Sequence, residues 1–225
     1  LMMNDVAVSG LTNAFGGIVI AAQTFNPSIF TESWLVQNSI IAPEDFTGPR
    51  FFSAEVSQFQ TSLLQVVVLP PRMQITYNIC NPASDSNKAK QLARKIVEIL
   101  PHTPYQSLGL NFDYFLQSPE DRGFHEYCRL LLGDGSYKLL QEFSSTDAMF
   151  GRYFSKDQLG ARLKLDIKPV HAGPDTKDML QFSFNYHYDV TSTEAGRRSA
   201  QIIQFIENWH LCLDYSKQLV AIGSM

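Results

Sequence analysis

Several stretches of this 225-residue chain alternate apolar and polar side chains with a period of two. That is the pattern of a strand with one face in a core and the other towards water. In Met73–Ile79 the apolar set is Met73, Ile75, Tyr77 and Ile79, opposed by Gln74, Thr76 and Asn78. In Leu108–Leu116 it is Leu108, Leu110, Phe112, Tyr114 and Leu116. Ala161, Leu163, Leu165 and Ile167 alternate with Arg162, Lys164, Asp166 and Lys168. Leu180, Phe182, Phe184, Tyr186 and Tyr188 alternate with Gln181, Ser183, Asn185, His187 and Asp189. Strands that are apolar on one side only belong to an antiparallel sheet with one face open.

Weaker strand signals fill the intervals. Phe51–Gln60 alternates imperfectly, and the nearly continuous apolar run Leu63–Leu69 predicts a central strand. Pro70-Pro71 follows and predicts a turn or an edge break, because neither residue can donate to a ladder. Val6–Val8 and Ile18–Gln23 predict an N-terminal strand or hairpin about Thr12–Gly17, with Gly16-Gly17 as turn glycines. Tyr137–Phe143 and Arg152–Phe154 predict further short strands.

Helix signals lie between and after these runs. Ser118-Pro119-Glu120-Asp121 offers an N-cap, a proline for the first turn and two acids ahead of Phe124, Tyr127, Leu130 and Leu131. Gly133 after this run predicts a left-handed C-cap. Thr191-Ser192-Thr193-Glu194 has the spacing of a capping box. The stripe behind it, Ile202, Phe205, Ile206, Trp209 and Leu213, predicts one long helix with Phe205 and Trp209 buried. Another helix begins near Ser84-Asp85, carries Leu92, Ile96 and Ile99, and stops at Pro101; Asn26-Pro27 caps a short one holding Phe30 and Trp34. Helices do not strictly alternate with strands, so the expected class is α+β. The prediction is a mainly antiparallel sheet covered on one face by three to four helices, the longest near the C-terminus.

A faint internal repeat runs through this pattern. Leu108–Glu120 and Phe182–Glu194 align without gaps, matching Asn111 with Asn185, Tyr114 with Tyr188, Ser118 with Ser192 and Glu120 with Glu194. The expectation is one domain over 1–225, divisible into related halves at about 1–132 and 133–225.

Composition narrows the functional classes. Hydrophobic residues make up 44%, aromatics 12% and charged residues 18%, so the chain can bury a core without staples. A net charge of −4 argues against a nucleic-acid-coating surface. The basic residues Lys88, Lys90, Arg94, Lys95, Arg197 and Arg198 fall on predicted helices, where such charges usually form a solvated face. The three cysteines, Cys80, Cys128 and Cys212, have no metal-ligand spacing and form an odd count, which predicts free thiols in a reducing compartment. No leader or membrane-length apolar run is visible, so the expected place is the cytoplasm.

No phosphate loop, dinucleotide fingerprint or nucleophile elbow occurs, and no cofactor is expected. His125-Glu126-Tyr127-Cys128-Arg129 lacks the second histidine that would complete a zinc site, so no metal is expected there either. The one candidate for chemistry is the polar side of the two repeat strands. Asp113, His187 and Asp189 are its candidate catalytic residues, with Asn111 and Asn185 as candidate ligand-binding residues. Were the strands neighbours, an imidazole, carboxylates and amides would share a patch able to do acid–base work. An open sheet face carries polar residues for any function, however, so the expected role is a non-enzymatic interaction or assembly subunit. Its partner is another protein or a second copy, with neither a membrane nor, in the main reading, nucleic acid involved. The alternatives are a small-ligand binder or hydrolase-like enzyme using the face around His187, and a nucleic-acid-associated accessory protein.

Overall fold

Residues 10–80, 86–119, 123–133, 148–171 and 177–224 are described in a computed structural model. The chain opens with β1 (Leu11–Ala22), a 3-10 turn at Pro27–Ile29, α1 (Glu32–Gln37) and a second such turn at Pro43–Asp45. Four strands follow: β2 (Phe46–Phe52), β3 (Ser57–Thr61), β4 (Gln65–Leu69) and β5 (Arg72–Asn78). Then come α2 (Ser86–Ile99), β6 (Tyr105–Leu116) and α3 (Phe124–Leu132). The last third holds β7 (Arg152–Gln158), β8 (Ala161–Val170), β9 (Met179–Asp189), α4 (Ala195–Glu207) and α5 (Trp209–Gly223). The predicted strand at Tyr137–Phe143 and the segment Val6–Val8 lie outside the described residues.

All the described strands form one sheet of nine in the order β2-β3-β4-β5-β1-β6-β9-β8-β7. Every ladder in it is antiparallel. The α+β expectation holds. Period-two alternation translates directly into burial: Leu108, Leu110, Phe112, Tyr114 and Leu116 on β6 are enclosed, as are Leu180, Phe182, Phe184, Tyr186 and Tyr188 on β9. Intervening residues on these strands are mostly half-buried.

Aromatic rings join this apolar face to the helices. Trp209, fully enclosed at the start of α5, sets its ring 4.8 Å from Phe112 and 5.8 Å from Tyr77. Phe30 and Trp34, 5.2 Å apart, reach the sheet through Phe25 and Tyr105. In α2 the buried residues are Ala89, Leu92, Ala93, Ile96 and Val97, while Ile99 is half-buried.

Several local expectations are corrected. Gly16-Gly17 is not a turn, because β1 runs unbroken through it and pairs on both flanks, with β5 and with β6. Gly16 is there for space: a Cβ on it would lie 2.4 Å from the ring of Tyr77. Phe51–Gln60 divides into β2 and β3 because the Ser53 hydroxyl accepts from the amides of Glu55 and Val56, closing a turn. Leu63–Leu69 is not a doubly buried central strand. β4 begins at Gln65 and alternates like its neighbours, and Leu63 and Leu64 belong to a turn held by the Thr61 hydroxyl. Pro70-Pro71 is the turn expected, a two-residue link between the paired Leu69 and Arg72. Its two carbonyls accept from Phe25 and Ala22 of the adjacent segment.

The helices are corrected too. α3 starts at Phe124 behind an N-cap Gly123, so Ser118-Pro119 stands outside it; its buried residues are Tyr127, Cys128 and Leu132, and Leu130 is exposed. Gly133 has φ −77°, not a left-handed value; glycine suits it because a Cβ would lie 2.5 Å from the Arg129 carbonyl. The predicted capping box gives no side-chain cap to α4, since Gln201 takes the Ser192 amide and the Thr191 hydroxyl instead. The long C-terminal helix breaks at Asn208 into α4 and α5. Phe205 is only half-buried, stacked 4.6 Å from Tyr188. Five helices are thus described where three or four were expected.

Candidate functional site

The two strands that carry the candidate residues are neighbours. β6 and β9 pair from Ser107↔Asp189 to Leu116↔Leu180, with Asn111 directly opposite Asn185. The Asn185 amide donates to Asn111 Oδ1 at 2.7 Å. One step along, Asp113 stands opposite Ser183 and accepts from its hydroxyl at 2.6 Å and from Gln181 Nε2 at 3.1 Å. Asn111, Asp113 and Asn185 line a shallow depression of about 340 Å³ on the polar face, together with Phe15, Thr76 and Lys164. Gly17, which lies opposite Asn111 and Thr76, has no side chain to fill the floor.

His187 and Asp189 belong elsewhere. His187 pairs with Gly109, four residues along β9 from Ser183, which separates it from Asp113 by roughly 13 Å at strand rise. Its ring nitrogen meets Asp189 at 3.0 Å, on its own strand and beyond the depression. The Asp189 side chain is 79% exposed. The sheet therefore gathers the two amides and one carboxylate, and leaves the imidazole outside. The Asp113 carboxylate is committed to two neutral donors, which orient it without supplying a proton acceptor to work with.

Lys164 and Asp166 were not singled out by sequence, although the alternation placed them on a polar face. Only the strand order shows that β8 flanks β9 and sets Lys164 opposite Asn185. On the apolar side, burial holds the groups protonated: it pushes the thiols of Cys128 and Cys212 up to about 11 and the Tyr105 hydroxyl up to about 12. Tyr114, Tyr186 and Tyr188 shift upwards for the same cause. These groups are placed as core, with Tyr186 sharing a hydrogen bond with Ser216. Among the described residues, no cluster of three or more His, Cys, Asp or Glu could hold a metal ion. His125 lies edge-on to Phe124.

The basic cluster on α2 is largely engaged. Lys90 and Arg94 both pair with Glu207 of α4, at 2.5 and 3.0 Å, and Lys95 donates to the Ser39 carbonyl. Arg197 pairs with Glu194, and Arg198 donates to the Ser192 carbonyl. The Glu207 pairs tie α2 to α4. Phe115 is half-buried with its edge against Phe15.

A second concave feature was not foreseen. At the far end of the sheet, Phe154, Leu163, Leu165, Ile167, Leu219 and Ile222 line an apolar cleft of about 420 Å³ between β7, β8 and the end of α5. Phe154 is 47% and Ile222 66% exposed. The alternation of β8 signalled its inward residues, but the missing cover depends on where α5 ends, which no local pattern encodes. No helix among the described residues is long and apolar enough to cross a membrane. No protein family matches this chain, and neither does any curated protein.

Proposed function

We propose that this chain is a non-enzymatic assembly subunit that docks a protein chain at the β7 end of its sheet. The apolar cleft carries the reading. Exposed Phe154 and Ile222 flank buried Leu163, Leu165 and Ile167, and apolar surface left in this state is stabilised by association. The sheet suits a scaffold, as one domain over 1–225 with its helices on one face. The mirrored register of β6 and β9 supports two related strand–helix units within it, at about 1–132 and 133–225. Light scattering across a range of concentrations tests the proposal. The expected result is a species heavier than the 25.4 kDa chain, reduced to single chains by Ile222→Asp. A mass of one chain at every concentration, unaffected by that change, would overturn it.

A second reading, binding of a small polar ligand, has one observation in its favour: Asn111, Asp113 and Asn185 share a single depression. The two separate by mutation. Asp113→Asn leaves association intact under the first reading, and Ile222→Asp leaves the depression intact under the second.

A further inference from the structure

The sheet has two ends, and they are built differently. β2 closes one end with Gly48 in a left-handed conformation (φ 65°), Pro49 beside it, and a shift of register between Thr47 and Phe51. Bulge and proline together blunt an edge against pairing. β7 closes the other end, pairs only with β8 among the described residues, and runs regularly from Arg152↔Ile167 to Gln158↔Ala161. Its sequence, Arg-Tyr-Phe-Ser-Lys-Asp-Gln, contains neither proline nor glycine. Tyr153 is 62% exposed.

We propose that β7 is the seam of a symmetric dimer, in which β7 of a second copy pairs antiparallel with it and Ser155 faces Ser155 across the twofold axis. This rests on the assembly reading above and names its occupant. Among the registers that pair five or more of the residues of β7, charge selects one. Phe154 and Lys156 lie opposite Leu165 and Leu163 and share the apolar side, whereas Tyr153, Ser155 and Asp157 share the other. Directly paired residues must point to the same side, so the axis has to pass through a residue position. Centred on Phe154, the pairing sets Arg152 against Lys156. Centred on Lys156, it sets that lysine against itself. Both oppose like charges, which is destabilising. Centred on Ser155, it sets Lys156 against Phe154, Asp157 against Tyr153 and Arg152 against Gln158, with no like charges opposed. Lys156 already lies 4.9 Å from the centre of the Tyr215 ring, so the second copy's Phe154 adds an aromatic neighbour to a lysine that has one. The two clefts then meet across the axis, and each Phe154 helps close the other's.

The test uses the whole chain in a Cys80→Ser background, which removes the exposed thiol. In the proposed register the Ser155 Cα atoms stand about 4.5–5.5 Å apart, within disulfide reach. Ser155→Cys should therefore give an intermolecular disulfide under mild oxidation, whereas Tyr153→Cys, placed against Asp157, should not. Independently of cysteine chemistry, Phe154→Lys should weaken the dimer about tenfold through two new lysine pairs, and Phe154→Glu should keep it. A dimer that fails to crosslink at position 155, or that tolerates both charges at 154 equally, overturns the seam while leaving the assembly reading standing. A chain that stays single at every concentration overturns both.

Discussion

Burial of ionisable side chains makes a prediction at the scale of single residues. The folded state keeps Cys128 and Cys212 protonated up to about 11 and Tyr105 up to about 12, because burial penalises the charged forms. Below the ordinary thiol value of 9.0 both folded and unfolded chains hold these protons, and the groups add no pH dependence. Above it the unfolded chain ionises first, so stability is lost as pH rises through about 9 to 12, the thiols acting before the tyrosine. Urea titrations at about pH 8, 9.5 and 11 should give falling midpoints, and the double change Cys128→Ala, Cys212→Ala should flatten the first interval. A midpoint constant to pH 11 would show that these groups are hydrated. At this scale the sequence read well. Alternation named the buried face of β5, β6, β8 and β9, because a period of two leaves each side chain only one of two faces. It read less well where residue type was taken for conformation. Gly133 satisfies a crowded carbonyl and Gly16 a crowded ring, and neither needs the backbone freedom that glycine usually signals.

The two glycines of β1 carry the prediction at the scale of the element. They are adjacent, and therefore face opposite sides of the sheet. A methyl group on Gly16 meets the Tyr77 ring at 2.4 Å, whereas one on Gly17 meets nothing closer than the Ile75 carbonyl at 3.6 Å. Gly16→Ala should cost about 1–3 kcal/mol by displacing Tyr77 from Trp209, the range for forcing a group into a filled core. Gly17→Ala should be neutral or slightly stabilising, since alanine has less freedom to lose on folding. Were Gly16-Gly17 the turn that its composition suggested, both changes would be costly or neither would. Melting temperatures of the two variants decide between these accounts. Breaks within elements were the harder feature to foresee. The stripe from Ile202 to Leu213 continues across Asn208 without a fault in its spacing. The chain nonetheless turns there, and Asn208 donates its side-chain amide to Tyr188 at 3.2 Å. That contact is tertiary, so the helical period could not announce it.

The described strands form a single sheet whose middle strands come from both ends of the chain. β1 and β6 belong to the first half and β9 to the second, yet β6 lies between the other two and pairs along nearly its full length with each. Position along the sequence cannot reveal this. Asn111 and Asn185 read as matching residues of a repeat, and only the strand order turns the match into a hydrogen bond. The strands leading into the matched pair are also wired differently. β9 follows β8 directly, whereas β6 is reached from β5 through α2, with β1 lying between β5 and β6. Each half therefore lacks something it needs. A fragment covering 1–132 would expose the full open edge of β6, and one covering 133–225 would expose β9 with its row of large aromatics. The full chain should consequently unfold in one cooperative transition, with circular dichroism and tryptophan fluorescence coinciding. Amide exchange should be slowest in β1, β6 and β9 and faster towards β2 and β7, where fewer ladders hold each strand. Neither fragment alone should show a cooperative melt, and mixing the two should restore one if the β6–β9 ladder is what joins them. Two separate transitions in the intact chain, or a cooperatively folded fragment, would mean that the halves are autonomous and that the shared centre of the sheet contributes little to holding the protein together.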